Sequence, residues 1–234
     1  MPDCPNPPVV FDTALGVAYS LGLLWVLAGT VYRTVLWLKA KSRFSIPLSP
    51  APRSRLGAVG RLGLELFAFR SLARANKPTW LASLLFHYGL LWILIVHLRF
   101  VFESLPLFLI PFIQFSGWAS AAMIIGLLIL LGRRLFVERI RYISAPSDYL
   151  HLFLLLGIGL SGLLLKRFWP VPLHEVGLFL RGAFTLNWTT LPNHAGLLLH
   201  LSLVLILLLV YPISKLIHGV GVAFAPTFNQ VDRS

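Results

Sequence analysis

Five stretches of this chain are each long and apolar enough to cross a bilayer, at roughly 10–36, 79–101, 114–136, 148–168 and 191–217. A helix needs about 20 consecutive apolar residues to span the hydrocarbon. Lipid offers no partner to a stray backbone N–H or C=O, so only helices and closed barrels survive there. The stretches lack the short two-residue alternation of a transmembrane barrel. The fold class that follows is an all-α membrane protein, a single five-helix bundle over residues 1–234. Composition supports it: 57% of residues are hydrophobic and only 12% charged. One soluble core of this size cannot hide so large an apolar surplus.

The charges give the bundle a direction. Of the twenty Lys and Arg, sixteen fall in the 33–78 connection, between spans three and four, or after span five. The other side holds only Arg99, Lys166, Arg167 and Arg181. Basic loops stay in the cytoplasm, so the N-terminus is expected outside (periplasmic) and the C-terminus inside. The formal charge of +12 then reads as sidedness, with anionic lipid or an acidic partner as a secondary use and no call for nucleic acid. The first residues, Met1 to Pro8, are rich in proline and lack a basic leader, so the first span is expected to be retained as its own anchor. Cys4 is the only cysteine. It leaves no disulfide framework and no thiolate set for an iron–sulfur cluster, which would have to sit on another subunit.

Two connections carry structure of their own. Residues 57–75 place Leu62, Leu64, Leu66, Phe67, Phe69 and Leu72 among arginines ahead of Lys77-Pro78. This pattern predicts a cytoplasmic interfacial amphipathic helix, serving as a membrane-surface anchor or as a docking face for a cytoplasmic subunit. Residues 168–190, with an apolar run from Val176 to Phe184, predict a partly helical cap on the outer side.

Histidines carry the chemistry. A titratable group inside a membrane is costly and marks a functional site by default. Seven histidines are present; His87 and His97 lie on the second span, His200 and His218 on the fifth. Ten residues of helix separate the first two by about 15 Å, and eighteen separate the second two by about 27 Å, five full turns that return to one face. The second and fifth spans run antiparallel. His87 is therefore expected level with His218 on the cytoplasmic side, and His97 with His200 on the outer side. Two imidazoles on facing helices are what a six-coordinate b-type haem needs, so the spacing predicts two such haems. The axial offsets require helix tilt and a break at Pro212. Gly89, Gly157, Gly159, Gly162, Gly196 and Gly219 are candidates for close approach of a macrocycle. His151 and His194 sit near span ends and His174 in the outer loop, without a partner for a third haem.

A pair spaced by ten on the second span and a pair spaced by eighteen on the fifth resemble the gamma subunit of respiratory nitrate reductase. The resemblance implies a five-helix dihaem cytochrome b with its N-terminus outside, in a bacterial cytoplasmic membrane. By it, His87 and His218 would ligate the cytoplasmic-side haem, and His97 and His200 the outer-side haem. The tail, Lys215-Leu216-Ile217-His218-Gly219 followed by Phe224-Ala225-Pro226-Thr227-Phe228-Asn229-Gln230, resembles the ending of a related branch. That branch is the membrane cytochrome of dissimilatory sulfite-reduction transmembrane complexes. Ala225 and Phe228 depart from its pattern, and the bland alternative is a short extension with ordinary turn residues. The implied partner there is a cytoplasmic iron–sulfur protein similar to the heterodisulfide reductase catalytic subunit, beside other membrane subunits. In the nitrate reductase branch it would be an iron–sulfur beta subunit with a molybdenum alpha subunit.

The expected function is electron transfer between membrane quinone and a cytoplasmic redox partner, with the terminal chemistry on other subunits. Quinone would meet the outer-side haem, and Arg99 would bind a haem propionate or a quinone oxygen. A snorkelling interface arginine is the plain alternative for Arg99; Lys166 and Arg167 are lesser candidates for the same tasks. Two other classes compete, a cofactor-free transporter and a structural membrane anchor. A transporter would be expected to line a pathway with acidic groups, whereas all eight acids here lie in loops or near span ends.

Overall fold

The computed structural model describes residues 10–40, 50–102 and 104–231; Cys4 and the proline-rich start lie outside them. The described residues form helices α1 (Val10–Lys39), α2 (Arg55–Ala68), α3 (Arg70–Ala75), α4 (Lys77–His97), α5 (Ile110–Phe136) and α6 (Glu138–Ile143). They continue with α7 (Pro146–Arg167), α8 (Leu173–Thr185), α9 (Ala195–Val210), α10 (His218–Gly221) and α11 (Pro226–Asn229). Five helices, in α1, α4, α5, α7 and α9, are long and apolar enough to cross a membrane. Each buries only 17–33% of its apolar window. The outward faces are therefore as greasy as the inward ones, the signature of helices whose solvent is lipid. The chain is a multi-pass membrane protein.

Its residues group into two compact units, one of Met1–Leu24 with Ala82–Leu207 and one of Trp25–Leu81 with Leu208–Ser234. In the first unit, α4 and α5 touch backbone to backbone. A Cβ on Gly126 would stand 2.6 Å from the Ala82 carbonyl, and one on Gly89 would stand 2.7 Å from the Ala119 carbonyl. Only glycine permits that approach, which substitutes for the hydrophobic drive that helices lack in lipid. Helix α7 packs along α5, with Met123 and Ile124 filling the space beside Gly159. Its start is pinned where Arg134 meets Asp148 at 3.5 Å and Asp148 accepts the Ala145 N–H at 3.1 Å. The 168–190 connection is partly helical, as expected, and its helix is α8. Phe179 of α8 is fully buried with Tyr19 edge-on against it. The Tyr19 hydroxyl donates to the Leu201 carbonyl at 2.6 Å, and Ser20 donates to the Ala183 carbonyl at 2.9 Å.

The second unit holds the basic connection and the tail. The amphipathic segment is two helices rather than one continuous element, because Phe69 takes the left-handed conformation with φ 47° and ends α2. Glu65 then accepts the Ser71 N–H at 3.1 Å and the Ser71 hydroxyl, which starts α3 afresh. Helix α2 turns Ala58 inward and leaves Leu56, Val59 and Phe67 exposed. Helix α11 of the tail packs on α2, and Trp37 stacks on Phe224 at 5.8 Å.

The last span breaks at Pro212 as expected, but its regular helix is shorter than the stretch read from sequence. Helix α9 stops at Val210, short of the expected 217, and residues 211–217 form two 3-10 turns. Pro212 is the cause: it has no N–H to donate and its ring crowds the carbonyl one turn back. It packs instead against Gly29, where a Cβ would stand 2.4 Å from the proline ring. Ser214 then caps the next turn, its hydroxyl accepting the Leu216 N–H at 3.1 Å. The five-turn argument that set His200 and His218 on one helix face therefore does not hold, since no continuous helix joins them.

Candidate functional site

His97 closes α4 and His200 lies one turn into α9, both within the first unit. The structure brings them together, with ring centroids 6.4 Å apart and planes inclined by 23°. Two imidazoles that bind opposite sides of one metal ion, at about 2 Å per metal–nitrogen bond, place their centroids roughly 6 Å apart. The centroid spacing matches that of two rings sharing one ion.

Hydrogen bonding separates this pair from an ordinary ring contact. The His97 Nδ1–H donates to the Ile93 carbonyl at 2.7 Å. The His200 Nδ1 lies 2.9 Å from the Ser161 hydroxyl. That hydroxyl has one proton, and it is already given to the Gly157 carbonyl at 2.7 Å. With that proton on a backbone carbonyl of its own helix, Gly157 or Ile158, Ser161 accepts from His200 and Nδ1 carries the imidazole proton. Both rings thus carry their lone pair on Nε2. Two acceptor nitrogens cannot bond each other, so the neighbouring rings suit an electron-poor centre supplied from outside. Anchoring one ring nitrogen so that the other can bind metal is the usual arrangement of a ligand histidine.

His87 and His218 show the same anchoring. The His87 Nδ1–H donates to the Ser83 carbonyl at 2.8 Å, and the His218 Nδ1–H to the Lys215 carbonyl at 2.9 Å. His87 belongs to the first unit and His218 to the second. His194 has the opposite chemistry. Its Nδ1 accepts the Leu197 N–H at 3.3 Å and so caps α9, which puts the proton on Nε2 and makes the ring a helix cap rather than a ligand.

A pair of imidazoles supplies only two donors. Among the described residues no group of three or more His, Cys, Asp or Glu is placed to hold a metal ion. A macrocycle that brings its own equatorial nitrogens, as haem does, fits such a pair. Of the glycines noted in the sequence, Gly162 serves the pair directly, since a Cβ there would stand 3.1 Å from Cε1 of His200. Gly89 and Gly159 make room for α5, Gly157 for Leu203, and Gly196 for His194 and Trp169. Gly219 has open space around it. Arg99 lies on the 3-10 turn Leu98–Phe100, just after His97. Its guanidinium carbon sits 4.7 Å from the centre of the Phe100 ring, and its Nε is buried with no partner among the described residues. Ser161, the group that orients His200, was not visible in the sequence: a serine within an apolar helix carries no local mark of a partner 39 residues away.

Residues 68–231, which include all four histidines, match the nitrate reductase gamma subunit family. The chain belongs to that family. It is also similar to two archaeal proteins, each named Hdr-like menaquinol oxidoreductase cytochrome b-like subunit. The Archaeoglobus fulgidus protein is 31% identical over an alignment covering 92% of this chain and 78% of its own. The Archaeoglobus profundus protein is 32% identical, with 93% and 79% covered. Both relatives are archaeal, so the expected bacterial cytoplasmic membrane broadens to a membrane of unspecified kingdom. Family membership and these relatives support an electron-transfer subunit of the membrane cytochrome b class.

Proposed function

We propose that this chain is a dihaem cytochrome b that passes electrons between membrane quinone and a cytoplasmic iron–sulfur partner, with its N-terminus outside. The observation that carries the reading is the His97–His200 pair, with rings 6.4 Å apart and Nδ1 of each committed to an oxygen. His97 and His200 would hold the outer-side haem; His87 and His218 would hold the cytoplasmic-side one. Bound there, haem supplies a one-electron iron centre. The chain's own residues do the rest. Ile93 and Ser161 fix the ligand tautomers, Gly162 admits the His200 ring, Arg99 brings positive charge to the outer end, and the apolar helices keep water out.

The relatives' name supports menaquinol as the quinone and a multi-subunit oxidoreductase as the setting. It favours the branch with a heterodisulfide reductase-like iron–sulfur partner over a nitrate reductase-type complex. The exposed apolar face of α2, Leu56, Val59 and Phe67, is then a membrane-interface surface on the cytoplasmic side, flanked by arginines suited to anionic lipid. The test is the visible spectrum of the purified protein, oxidised and dithionite-reduced, with haem counted per chain. Two haems with b-type bands are expected. A colourless protein would return the chain to the class of cofactor-free anchors or transporters.

A further inference from the structure

The outer end of the first unit carries two cations beside the imidazole pair, Arg99 and Lys166. Arg99 follows His97 by one short turn, and its buried Nε has no partner among the described residues. Lys166 ends α7 four residues beyond Gly162, so it lies one turn (about 6 Å) outward of the site where His200 packs. Its ammonium reaches across to the start of α5, donating to the Ile113 carbonyl at 3.2 Å and to the Ser116 hydroxyl. Ser116 is buried and gives its own proton to Ile113 at 2.7 Å. It can therefore only accept from Lys166, and the ammonium is held with a third N–H still available. The ion pair among the described residues joins Arg134 to Asp148, so among those residues neither Arg99 nor Lys166 is paired with a carboxylate.

Two cations at the end of an apolar bundle, one of them with a buried and unpartnered Nε, become favourable when an anion sits between them. The position indicates which anion. Arg99 is just outward of one ligand imidazole and Lys166 just outward of the packing site of the other. Haem b carries two carboxylates on one edge, one for each cation. A guanidinium offers a fork to one carboxylate and an ammonium a point charge to the other.

We infer that Arg99 and Lys166 form a two-point anion site at the outer rim of the imidazole pair, whose ligand is the pair of propionate carboxylates on the haem held by His97 and His200. Ser116 and Ile113 are positioning groups that aim Lys166. The inference rests on the dihaem reading and adds to it a built-in polarity, carboxylates outward, together with a residue, Lys166, that the sequence ranked below Arg99.

Chemical blocking of the carboxylates tests it. Apo-protein in membranes is reconstituted with haem b or with its dimethyl ester, and outer-site occupancy is read from the bis-imidazole spectrum. The wild type is expected to prefer haem b over the ester by roughly tenfold, the scale of one to two charge-assisted contacts. An Arg99→Gln/Lys166→Gln variant is expected to lose that preference while keeping bis-imidazole bands, and Lys166→Arg to restore most of it beside the native Arg99. The outer-side midpoint potential is expected to fall in the double Gln variant, because nearby cations favour the reduced, less positive iron. Equal binding of haem b and ester by the wild type overturns the inference, as does a preference that survives in the double variant. A double variant that keeps the preference and only slows reduction by menaquinol would assign the cations to the quinol oxygen, which also overturns it. A wild type that takes up neither haem refutes the dihaem function itself, an outcome separate from these.

Discussion

His200 and His218 lie on neighbouring stretches of the C-terminal chain and are held by opposite means. His200 sits inside α9, and its ring is set by groups on α7: the Ser161 hydroxyl and the space left by the missing side chain of Gly162. His218 opens the four-residue helix α10, and its Nδ1–H donates to the Lys215 carbonyl three residues earlier. The first is a tertiary device, in which a regular helix carries the ligand and a neighbour aims it. The second is local, in which a proline stops the helix and the next turns re-aim the chain. The contrast teaches that two candidate ligand histidines in one span pattern can be disturbed by unrelated changes. A change on α7 should affect His200 alone, and a change at the helix break should affect His218 alone.

That separation can be attacked directly. The largest effects come from the ligands themselves. His97→Ala and His200→Ala are each expected to halve the haem per chain, and the double variant to lose no more than either single one. A double variant with no haem at all would show that the two histidines serve different haems. Next in size is Gly162→Val, which forces a branched side chain against Cε1 of His200. It should remove the same haem as His200→Ala while far-UV circular dichroism shows unchanged helix content. Loss of the other haem instead would break the comparison.

Pro212→Ala probes the opposite arm. Without the ring, α9 is free to run past Val210, and the haem assigned to His218 is expected to lose occupancy while the outer-side spectrum stays intact. Ser161→Ala is milder. Removing the partner of a ligand histidine typically costs ten- to a hundredfold in metal-site affinity, so the outer-side haem should dissociate faster in competition with apomyoglobin, and Ser161→Thr should restore retention. Smallest is Ser214→Ala, which deletes the cap on the Lys215–Ile217 turn at a local cost of about 1 kcal/mol. A small drop in thermal retention of the His218-held haem is expected, with none for the outer one.

The sequence alone was enough for the class of fold. Five apolar stretches cannot be anything but spans, because backbone polar groups in lipid have no other solution. The ten-residue spacing on α4 and the position of His200 early in the last span were enough to nominate the outer pair, since helical rise converts residue number into depth. Depth is all that spacing conveys. The break at Pro212 was legible, because a proline lacks the N–H that would continue the helix; what its ring packs against, Gly29 in a distant helix, was not. The break at Phe69 was likewise hidden, because a phenylalanine in the left-handed region has no sequence signature.

Ring orientation, tautomer and partner choice were decided by tertiary structure. Which nitrogen of His200 holds the proton follows from a serine whose own proton is already committed to Gly157, and no reading of nearby residues reveals that. The same reason separates His194, equally close in sequence to a span, from the ligand histidines: its Nδ1 is used as a helix cap. Hydrophobic length is a property of one segment at a time, so sequence suffices to read it. The direction of a lone pair is a property of two segments in contact, and only the packed fold determines it.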